Sequence, residues 1–431
     1  MFKSILQLIL RFLARRIIQK YQPEIIGITG SVGKTSAKEA ITTVLGSKFS
    51  VRSNIKNYNN EFGLPLTILG LSSPGKSLWG WFKLFIRALM IIIRTNDYPK
   101  ILVLEMGVDH PGDMDYLNSM VKLKIAVITT IGISHLANFG TSDKIKLEKK
   151  KILDTLDSKS GWAILNFDND KIKEIGQQLE YQTISYGFSD DAVVSAHNLD
   201  YSFNGEELLS NLQGLSFKIK YQDSYIPVLL PGALSRSTVY AALAGASVGF
   251  AYNMNGVEIS QALKNFQSPS GRMKLLAGIN GSMIIDDTYN ASPQSTLNAL
   301  ETLNDIKLPE LKRRWIILGD MLELGPDSEK GHLEVGHRVS EIKNARLAIL
   351  GQESLYISMG ARRNGMKETN IFHCNNHQEI IEMLQRELTE GDLVLVKGSQ
   401  GMRMEKIVAQ ILANPEEAEK LLVRQSPEWL K

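Results

Sequence analysis

The 431-residue chain has very little cysteine, very little net charge and no long uncharged apolar run. Its single cysteine, Cys374, excludes an internal disulfide framework and any zinc cluster built from cysteines, which favours a reducing compartment. The net charge of +3 is too small to argue for a nucleic-acid partner. The apolar and charged fractions are those of an ordinary soluble globular protein. The length predicts two or three domains.

The first apolar segment falls short of both a signal peptide and a membrane span. Residues 1–20, MFKSILQLILRFLARRIIQK, are interrupted by Arg11, Arg15 and Arg16, and no cleavage site of small residues follows. The run is also too short and too charged to cross a bilayer. We expect a basic amphipathic helix over residues 1–22 that either lies on an anionic membrane surface or packs on its own protein. The apolar positions near helical spacing are Phe2, Ile5, Leu6, Ile9, Phe12, Leu13 and Ile17.

A second apolar segment carries the same ambiguity. Residues 77–95, SLWGWFKLFIRALMIIIRT, combine two tryptophans and a continuous apolar run with the cations Lys83, Arg87 and Arg94. This mixture suits a membrane interface, where aromatic and basic side chains are enriched. It equally suits a helix that covers the first one. In either case we expect a helical insertion at residues 74–97.

Short apolar runs alternate with helical stretches from residue 24 onward, and the runs end in polar or glycine residues. They are EIIGITG, KILVLEMG, IAVITTIGIS and WAILNFD, followed after residue 270 by MIIDDTY, RWIILGDM, ARLAILG and DLVLVKGS. Fully apolar strands alternating with helices predict parallel sheets covered on both faces. In such sheets the ligand lies at the carboxyl ends of the strands. The predicted fold class is therefore α/β.

The chain is expected to divide at FQSPSGRM, residues 266–273, whose serine, proline and glycine are typical of a linker. We expect a central parallel-sheet ATPase domain with a phosphate loop over residues 23–267. A Rossmann-like α/β domain is expected over residues 268–431. Residues 191–230 alternate in a strand-like pattern, which predicts an antiparallel flap on the central domain.

A glycine-rich turn in IIGITGSVGKTSAKEAITTVL lies between a buried strand and a helix. Ile28 stands where the standard phosphate-loop pattern has its first glycine, so the strict pattern fails. Gly30 and Gly33 still let backbone N–H groups turn toward an anion at the helix start, where the helix dipole favours negative charge. We expect Lys34 to reach the terminal phosphates of a nucleotide and the Thr35 hydroxyl to bind Mg²⁺. The alternative is an ordinary strand-to-helix turn with a surface lysine.

Two further polar residues end neighbouring predicted strands. Glu105 follows ILVL, and a carboxylate at a carboxyl strand end beside a phosphate loop is a natural Mg²⁺ ligand. His135 ends the run TTIGIS. A lone histidine is more often structural, but its place beside the same sheet edge favours a ligand. The segment KIKLEKKKIL, residues 144–153, predicts a solvated charged helix face for most of its lysines.

Nine strings occur in the order in which the Mur ligase family has them, and the resemblance runs from about residue 24 to the C-terminus. They are TGSVGKTS, NYNNEFGLPLTIL, LVLEMG, SHLANFG, LNFDND, SGRM, DDTYNASP, LGDMLELG and LVKGSQGMRMEKIV. DDTYNASP and GDMLELG are most similar to the branch that adds D-alanyl-D-alanine to UDP-N-acetylmuramoyl-tripeptide. The resemblance implies an ATP-dependent, ADP-forming amide ligase of peptidoglycan precursor synthesis. In such a reaction the peptide carboxylate becomes an acyl phosphate, which the incoming amine then attacks.

The resemblance also implies roles for individual residues. The phosphate loop comprises Gly30, Ser31, Gly33, Lys34, Thr35 and Ser36. The other nucleotide contacts are Asn166 and Asp168 near the adenine, with Arg272, Asp287, Tyr289 and Asn290 closing over the nucleotide. The substrate contacts are Asn57, Asn59, Asn60 and Glu61 along the peptide, with Lys397 and Ser399 on the acceptor side.

Two Mg²⁺ ions are implied by the same resemblance. Thr35 and Glu105 would hold the first ion, and His135 with a lysine carbamylated by CO₂ would hold the second. Counting from the HLANFG string assigns that lysine to Lys149, although the next two lysines stand where the family has glycine and glutamate. The implied catalytic set is Lys34, Glu105, His135 and Lys149.

Two departures from the family pattern change what we expect. Leu234, Ser235 and Thr238 stand where the family has a histidine and asparagine motif before its alanine-rich helix, which predicts looser selection of the adenine base. Only about twenty-five residues precede the phosphate loop, where this branch has a domain for the UDP-sugar. We therefore expect a donor held mainly by its peptide, with a lipid-linked muropeptide at the inner membrane face as one candidate.

Three interpretations of the function remain open. The leading one is the D-alanyl-D-alanine ligase, and the second is a related ligase that acts on a lipid-linked donor or on another amine. The third is a membrane-associated nucleotide-binding protein without ligase activity, which the implied pair of metal sites argues against. We expect small-molecule substrates, no nucleic acid, and a cytoplasmic monomer. Any membrane contact would be peripheral, through residues 1–20 and 77–95.

Overall fold

The computed structural model describes residues 2–54, 58–94, 97–132, 136–206, 209–425 and 429. The chain separates into two compact units. The first unit contains Met1–Leu199, Phe217–Leu229 and Ser237–Phe266. The second contains Asp200–Ser216, Leu230–Arg236 and Gln267–Lys431, and its longest segment begins inside the expected linker.

A nine-stranded sheet has its first six strands wholly within the first unit. Its strands are β1 Glu24–Thr29, β2 Val51–Ser53, β3 Ile101–Glu105, β4 Ile125–Ile128, β5 Trp162–Asn166, β6 Gln182–Gly187, β7 Val194–Phe203, β8 Leu212–Tyr221 and β9 Ser224–Pro231. The spatial order is β2-β3-β1-β4-β5-β6-β7-β8-β9, and the pairings from β2 to β7 are all parallel. The helices that go with it are α1 Phe2–Tyr21, α2 Lys34–Gly46, α3 Gly63–Leu69, α4 Leu78–Ile93, α5 Asp113–Asn118, α6 Leu136–Phe139, α7 Ser142–Lys150, α8 Asp170–Gly176, α9 Arg236–Ala251 and α10 Gly256–Leu263.

The second unit contains a six-stranded sheet of its own. Its strands are β10 Lys274–Ala277, β11 Met283–Asp287, β12 Arg314–Gly319, β13 Ala345–Leu350, β14 Ile371–Cys374 and β15 Leu393–Lys397. The order is β10-β11-β15-β12-β13-β14, and only the pairing of β10 with β11 is antiparallel among the strands that the structure describes. The helices are α11 Pro293–Asp305, α12 Ser328–Ser340, α13 Leu355–Arg363, α14 His377–Glu387, α15 Glu405–Ile411 and α16 Ala418–Leu421.

These two parallel-dominated sheets confirm the predicted α/β fold class. Strands β1, β3 and β4 are buried almost throughout, as expected for strands covered on both faces. In the parallel register, Ile28 of β1 lies opposite Glu105 of β3, and Thr29 lies opposite Ile128 of β4. The polar carboxyl ends of these strands therefore meet at one edge of the sheet, where β1 turns into α2.

The basic N-terminal segment forms helix α1, and one side of it packs on the first unit. Its buried side chains, Leu6, Leu10, Leu13, Ala14 and Ile17, share a core with Trp81, Leu84 and Ala88 of α4. Of the apolar positions expected at helical spacing, Leu6, Leu13 and Ile17 are buried, whereas Ile5, Ile9 and Phe12 are exposed. The helix is apolar on more than one side, and spacing alone does not tell which side meets the core. Within the described ranges, no helix has both the length and the apolar character needed to cross a membrane.

Candidate functional site

The turn between β1 and α2 adopts a backbone path that needs glycine. Gly30 has a φ of +151° and Gly33 a φ of +86°, both in the region that residues with a side chain rarely adopt. A Cβ atom on Gly30 would lie 2.0 Å from the Thr129 hydroxyl oxygen. That hydroxyl donates to the carbonyl oxygen of Val32 at 2.6 Å, so the end of β4 braces the turn. We refer to residues 30–33 as the glycine turn.

Helix α2 begins directly after the glycine turn with Lys34, Thr35 and Ser36. Its first residue is preceded by Gly33 in the left-handed region, and no side chain caps the helix N-terminus. The N–H groups of the first turn and the helix dipole therefore make this end of the helix electropositive. Ser31 is held in place by its own N–H, which donates to the carbonyl oxygen of Thr130 at 2.8 Å. A phosphate group is the ligand that such an arrangement suits.

A hydroxyl and a carboxylate lie side by side next to this helix start. The Thr35 hydroxyl donates to Oε2 of Glu105 at 3.0 Å, and the Asn59 amide donates to Oε1 at 2.9 Å. The backbone N–H of Glu105 donates to the Asn54 side chain at 2.5 Å. Glu105 is 3% exposed, so its carboxylate is a buried, oriented negative charge. It lies where β3 ends, as its position in the sequence predicts.

These two oxygen groups fit a magnesium ion. Mg²⁺ prefers oxygen ligands and is usually held by one or two protein groups, with phosphates and water completing its shell. The Thr35 hydroxyl and the Glu105 carboxylate supply two such groups at the electropositive end of α2. The part of the chain that the structure describes contains no group of three or more histidine, cysteine, aspartate or glutamate side chains placed to hold a metal. A metal here would therefore depend on the ligands that a bound nucleotide brings.

Two lysines converge on the glycine turn. Lys34 and Lys149 both donate from Nζ to the carbonyl oxygen of Gly30, at 2.7 Å and 3.1 Å. Lys149 is 2% exposed, and burial lowers its pKa to about 7, with the nearby Lys34 charge acting in the same direction. Lys151, by contrast, is bonded to Asp115 at 2.6 Å and to Glu148 at 2.8 Å. The structure therefore places Lys149 at the turn, whereas Lys151 is bonded elsewhere.

The residues expected near an adenine are bonded within the first unit. The Asn166 amide donates to the carbonyl oxygen of Thr129 at 2.9 Å, so it supports the end of β4. The Asp168 carboxylate accepts the backbone N–H of Ser189 at 3.0 Å and the hydroxyl of Tyr240 at 2.7 Å. These bonds fix the loop after β5 at the same edge of the sheet. Leu234, Ser235 and Thr238, which differ from the family's histidine and asparagine motif, are all buried.

The predicted peptide-contact loop is only partly described. Asn57 lies outside the described residues, and so does the expected metal ligand His135. Asn59 reaches Glu105, as given above. Asn60 accepts the backbone N–H of Gly63 at 3.0 Å and so stabilises the start of α3. Glu61 accepts the Gln7 amide at 3.2 Å and lies 3.4 Å from the Lys3 ammonium, which ties it to α1.

A separate polar cluster lies in the second unit. Lys397, which ends β15, donates to Oδ2 of Asp287 at 2.6 Å and to the carbonyl oxygen of Asn290 at 2.8 Å. The guanidinium of Arg272 lies over the Tyr289 ring, 4.0 Å from its centroid. The Ser399 hydroxyl accepts the backbone N–H of Leu322 at 2.8 Å. The ammonium of Lys397 is thus engaged inside its own unit, where burial leaves 2% of its side chain exposed.

Sequence reasoning missed three residues of the first site. Lys38 is 1% exposed in α2 and donates to the carbonyl oxygen of Asn54 at 2.8 Å, although it looked like an ordinary helix lysine. Asn54 orients Glu105, and Thr129 braces the glycine turn. Asn54 and Thr129 directly follow β2 and β4, so the same rule about carboxyl strand ends that singled out Glu105 could have found them. Nothing in the local pattern marks Lys38, whose partner is distant in the chain.

The fold is that of an α/β protein in which a glycine turn and a helix N-terminus lie at one edge of the first sheet. Two family models match the chain: the Mur ligase middle domain over residues 86–246, and the Mur ligase glutamate ligase domain over residues 271–400. The chain belongs to the Mur ligase family, which confirms the resemblance seen in its motifs.

Individual relatives agree with the family assignment. A UDP-N-acetylmuramoyl-tripeptide–D-alanyl-D-alanine ligase of Bacillus subtilis is 28% identical over 408 residues, covering 94% of this chain and 79% of that protein. The enzyme of the same name from Synechocystis is 30% identical over 399 residues, covering 92% and 76%. A crystal structure of MurF from Acinetobacter baumannii has a TM-score of 0.75 at 25% identity, covering 94% of this chain and 80% of that one.

Proposed function

We propose that this Mur ligase is an ATP-dependent, ADP-forming enzyme that joins D-alanyl-D-alanine to the peptide of UDP-N-acetylmuramoyl-tripeptide. The relatives that match over more than nine-tenths of this chain carry that activity in their names. The observation that carries the proposal is the convergence of Lys34 and Lys149 on Gly30, next to the paired Thr35 and Glu105. Cations, a helix N-terminus and a carboxylate together meet the needs of phosphoryl transfer.

The first half of the reaction moves the γ-phosphoryl group of ATP. A carboxylate oxygen of the peptide forms a bond to the γ-phosphorus, the bond to the β-phosphate oxygen breaks, and ADP leaves. The glycine turn and the first turn of α2 bind phosphate oxygens with backbone N–H groups, and Lys34 neutralises the transferred charge. Thr35 and Glu105 would hold Mg²⁺, which neutralises further negative charge on the phosphates.

The second half forms the amide. The free amine of D-alanyl-D-alanine attacks the acyl carbon, phosphate leaves, and the amine loses one proton. We propose that Asn57, Asn59, Asn60 and Glu61 hold the donor peptide, and that Lys397 and Ser399 support the acceptor side. For Lys397 that support is indirect, because its ammonium already binds Asp287 and the carbonyl oxygen of Asn290.

The remaining nucleotide contacts are proposed from the family. Asn166 and Asp168 would shape the adenine side, and their bonds to the end of β4 and to the backbone after β6 support a fixed loop there. Arg272, Asp287, Tyr289 and Asn290 are the proposed contacts from the second unit. The Arg272 guanidinium stacked on the Tyr289 ring presents the kind of flat, cationic surface that planar bases and phosphates bind.

We also propose that Lys149 is carbamylated and contributes to a second Mg²⁺ site together with His135. The neutral amine adds to the carbon of CO₂ and releases one proton, which leaves a carbamate anion. Two features support this chemistry: Lys149 is almost fully buried beside Lys34, and burial lowers its pKa to about 7, so much of it is neutral near pH 7. A ¹³C carbamate signal from ¹³CO₂ that is present in the wild type and absent in Lys149→Ala would test it.

The working location is proposed to be the cytoplasm, with the protein monomeric and its membrane contact peripheral, through residues 1–20 and 77–95. A lipid-linked muropeptide is a candidate donor alongside the UDP-linked form. One contact links the proposed membrane contact to the proposed lipid-linked donor. Gln7 of α1 donates to Glu61, which belongs to the proposed donor-binding loop. The first α-helix therefore touches the loop that would bind the donor.

Mass spectrometry of the products with matched donors tests the proposed function. The protein, ATP and Mg²⁺ are incubated with D-alanyl-D-alanine and either UDP-N-acetylmuramoyl-tripeptide or its lipid-linked counterpart. A pentapeptide product from either donor supports the ligase and identifies the carrier. Use of the UDP-linked donor alone would overturn the lipid-linked idea. Absence of a pentapeptide from both donors, in a protein that still binds ATP, would overturn the D-alanyl-D-alanine assignment.

A further inference from the structure

The outer side of α4 is as apolar as its inner side. The exposed apolar residues of α4 are Leu78, Trp79, Phe82, Ile86, Leu89, Met90 and Ile93. Most of them recur every three or four residues, so they lie along one side of the helix. Trp81, Leu84 and Ala88 on the other side are buried in the core. A helix that is apolar all round normally has something apolar on every side.

Helix α1 repeats this arrangement in its first half. Its exposed apolar residues are Ile5, Leu8, Ile9 and Phe12, and they too follow helical spacing. Arg15 and Arg16 come next along the same stripe, and the Arg16 guanidinium lies 5.1 Å from the centroid of the Phe12 ring. We call the exposed apolar side chains of α1 and α4 given in these two paragraphs the apolar face.

The two stripes belong to helices that are joined to each other. Near the C-terminal ends, Lys20 of α1 donates to the carbonyl oxygen of Ile91 at 3.2 Å, and the Tyr21 hydroxyl donates to the same oxygen at 2.9 Å. The inner sides of α1 and α4 bury residues in one shared core cluster. Both exposed stripes therefore point away from that core.

The charged side chains that α1 and α4 themselves carry are all positive. Helix α1 contains five cationic side chains and α4 contains two, and neither helix contains an aspartate or glutamate. Arg15, Arg16, Lys83 and Arg87 are exposed. The Lys83 ammonium lies 5.7 Å from the Trp79 ring centroid, and the Trp79 ring stacks on Phe82 at 5.2 Å. Exposed tryptophan, long aliphatic side chains and cations in one place match the chemistry of an anionic membrane interface.

The dimensions favour a helix lying flat over one that spans. Sixteen residues of α4 extend about 24 Å, whereas the hydrocarbon core of a bilayer is about 30 Å thick. Moving the cations of α4 into the hydrocarbon core of the bilayer would also be unfavourable in free energy. We propose that the apolar face docks on an anionic lipid surface, with its aromatic and aliphatic side chains below the headgroups and the cations among the phosphates. This inference does not depend on which substrates the enzyme joins.

Co-sedimentation of the full chain with vesicles tests the docking. Vesicles of phosphatidylglycerol with phosphatidylcholine are compared with vesicles of phosphatidylcholine alone. The wild type is expected to bind the anionic vesicles, and binding should weaken as salt rises. The double variant Trp79→Ser with Phe82→Ser should bind at least about tenfold more weakly, because it removes two large aromatic side chains from the apolar face. Leu311→Ser is the matched control, because Leu311 is an apolar residue of the second unit that is 92% exposed. This substitution should leave binding to the vesicles unchanged.

A charge variant makes the test independent of the aromatic pair. Lys83→Gln with Arg87→Gln should weaken binding to anionic vesicles, whereas Arg363→Gln, an exposed cation on α13, should not. Ligation of a soluble donor should be unchanged in all of these variants, so failure of docking and failure of the ligase assignment are distinguishable. Equal binding to both kinds of vesicle, or no difference between wild type and the Trp79 and Phe82 variant, would overturn the proposal. Concentration-dependent dimerisation without lipid that this variant abolishes would also overturn it, in favour of a second copy of the chain.

Discussion

Lys34 and Lys149 donate to the same acceptor, the carbonyl oxygen of Gly30, although they lie on different helices. Two ammonium groups directed at one point repel each other, and this repulsion becomes stronger as water is excluded from between them. Burial, followed by the repulsion from Lys34, lowers the pKa of Lys149 to about 7. An anion that entered the turn would stabilise the arrangement, and in the proposed reaction that anion is the γ-phosphate of ATP.

The glycine turn should not tolerate a side chain at its first glycine. In Gly30→Ala the new Cβ would lie 2.0 Å from the Thr129 hydroxyl, at a φ of +151°. We expect a loss of about 1–3 kcal/mol in the free energy of unfolding, together with a raised KM for ATP. Urea unfolding and steady-state kinetics measure both. Gly46→Ala is the control, because Gly46 lies in α2 with nothing within 4 Å of the added atom. Equal stability of the two variants would contradict the strain argument.

The negative charge of Glu105 should set the magnesium requirement. Glu105→Gln keeps the shape of the side chain and can still accept from Thr35, but it removes the charge. The Mg²⁺ concentration for half-maximal activity is expected to rise at least about tenfold. A magnesium titration of ATP turnover measures the change, with Glu301→Gln, exposed on α11, as the control. An unchanged magnesium requirement would remove Glu105 from the proposed metal site.

The pairing of Lys397 with Asp287 should stabilise the second unit. Lys397→Met leaves a buried carboxylate without its cation, which is expected to cost about 3–5 kcal/mol of the free energy of unfolding. Adding Asp287→Asn to that variant should restore much of the loss, because the uncompensated charge is gone. Denaturant unfolding measures the free energy of unfolding of the wild type and of both variants. If Lys397→Met lowers activity with no loss of stability, the acceptor-side role is direct instead.

Asp286 should make stability fall as the pH rises through the mildly acidic range. Burial raises its pKa from 3.8 to about 6, with the Asp287 charge acting in the same direction and the bonds from Thr288 opposing both. The folded state therefore holds this proton more tightly than the unfolded state. The resulting stabilisation is complete below about pH 4 and is lost as the pH rises through about 6.

The measurement that isolates this group compares the wild type with Asp286→Asn by urea unfolding from pH 4 to pH 7. The wild type should lose stability relative to the variant over that range, by on the order of 1–3 kcal/mol. Lys274 is paired with Asp286 across β10 and β11, and it is unchanged in both proteins. Asp223→Asn, on an exposed turn, should show no such trend. A difference that does not vary with pH would contradict the raised pKa.

The sequence predicted the sheet edge of the first unit better than it predicted the helix faces. Alternating apolar runs define parallel strands, and polar residues at their carboxyl ends point to Glu105, because local order is enough for both inferences. The inner side of α1 was not predictable, since Ile5 and Ile9 are as apolar as the buried Leu6 and Leu10. Only contacts with α4 and the core decide between them.

Long-range pairing explains why the burial of two lysines, Lys38 and Lys397, could not be predicted from the sequence. Lys38 is buried with its ammonium donating to the carbonyl oxygen of Asn54, just after β2, and Lys397 is buried with its ammonium donating to Asp287, which lies 110 residues earlier on a neighbouring strand. Neither lysine differs locally from an exposed one. Lys149 was found by the motif resemblance, and only the packing of α7 shows why its neighbour Lys151 is bonded to Asp115 and Glu148 instead.

The most direct test of the central claim is phosphate release from ATP and Mg²⁺ in an omission series. The wild type receives the muropeptide donor and D-alanyl-D-alanine together, then each alone, and Lys34→Met receives both. We predict sustained release only with both substrates, one phosphate for each amide formed, and a loss on the order of 10²–10³-fold in Lys34→Met. Release that is independent of the substrates, or that is unchanged in Lys34→Met, would contradict the account of the glycine turn as the site of phosphoryl transfer.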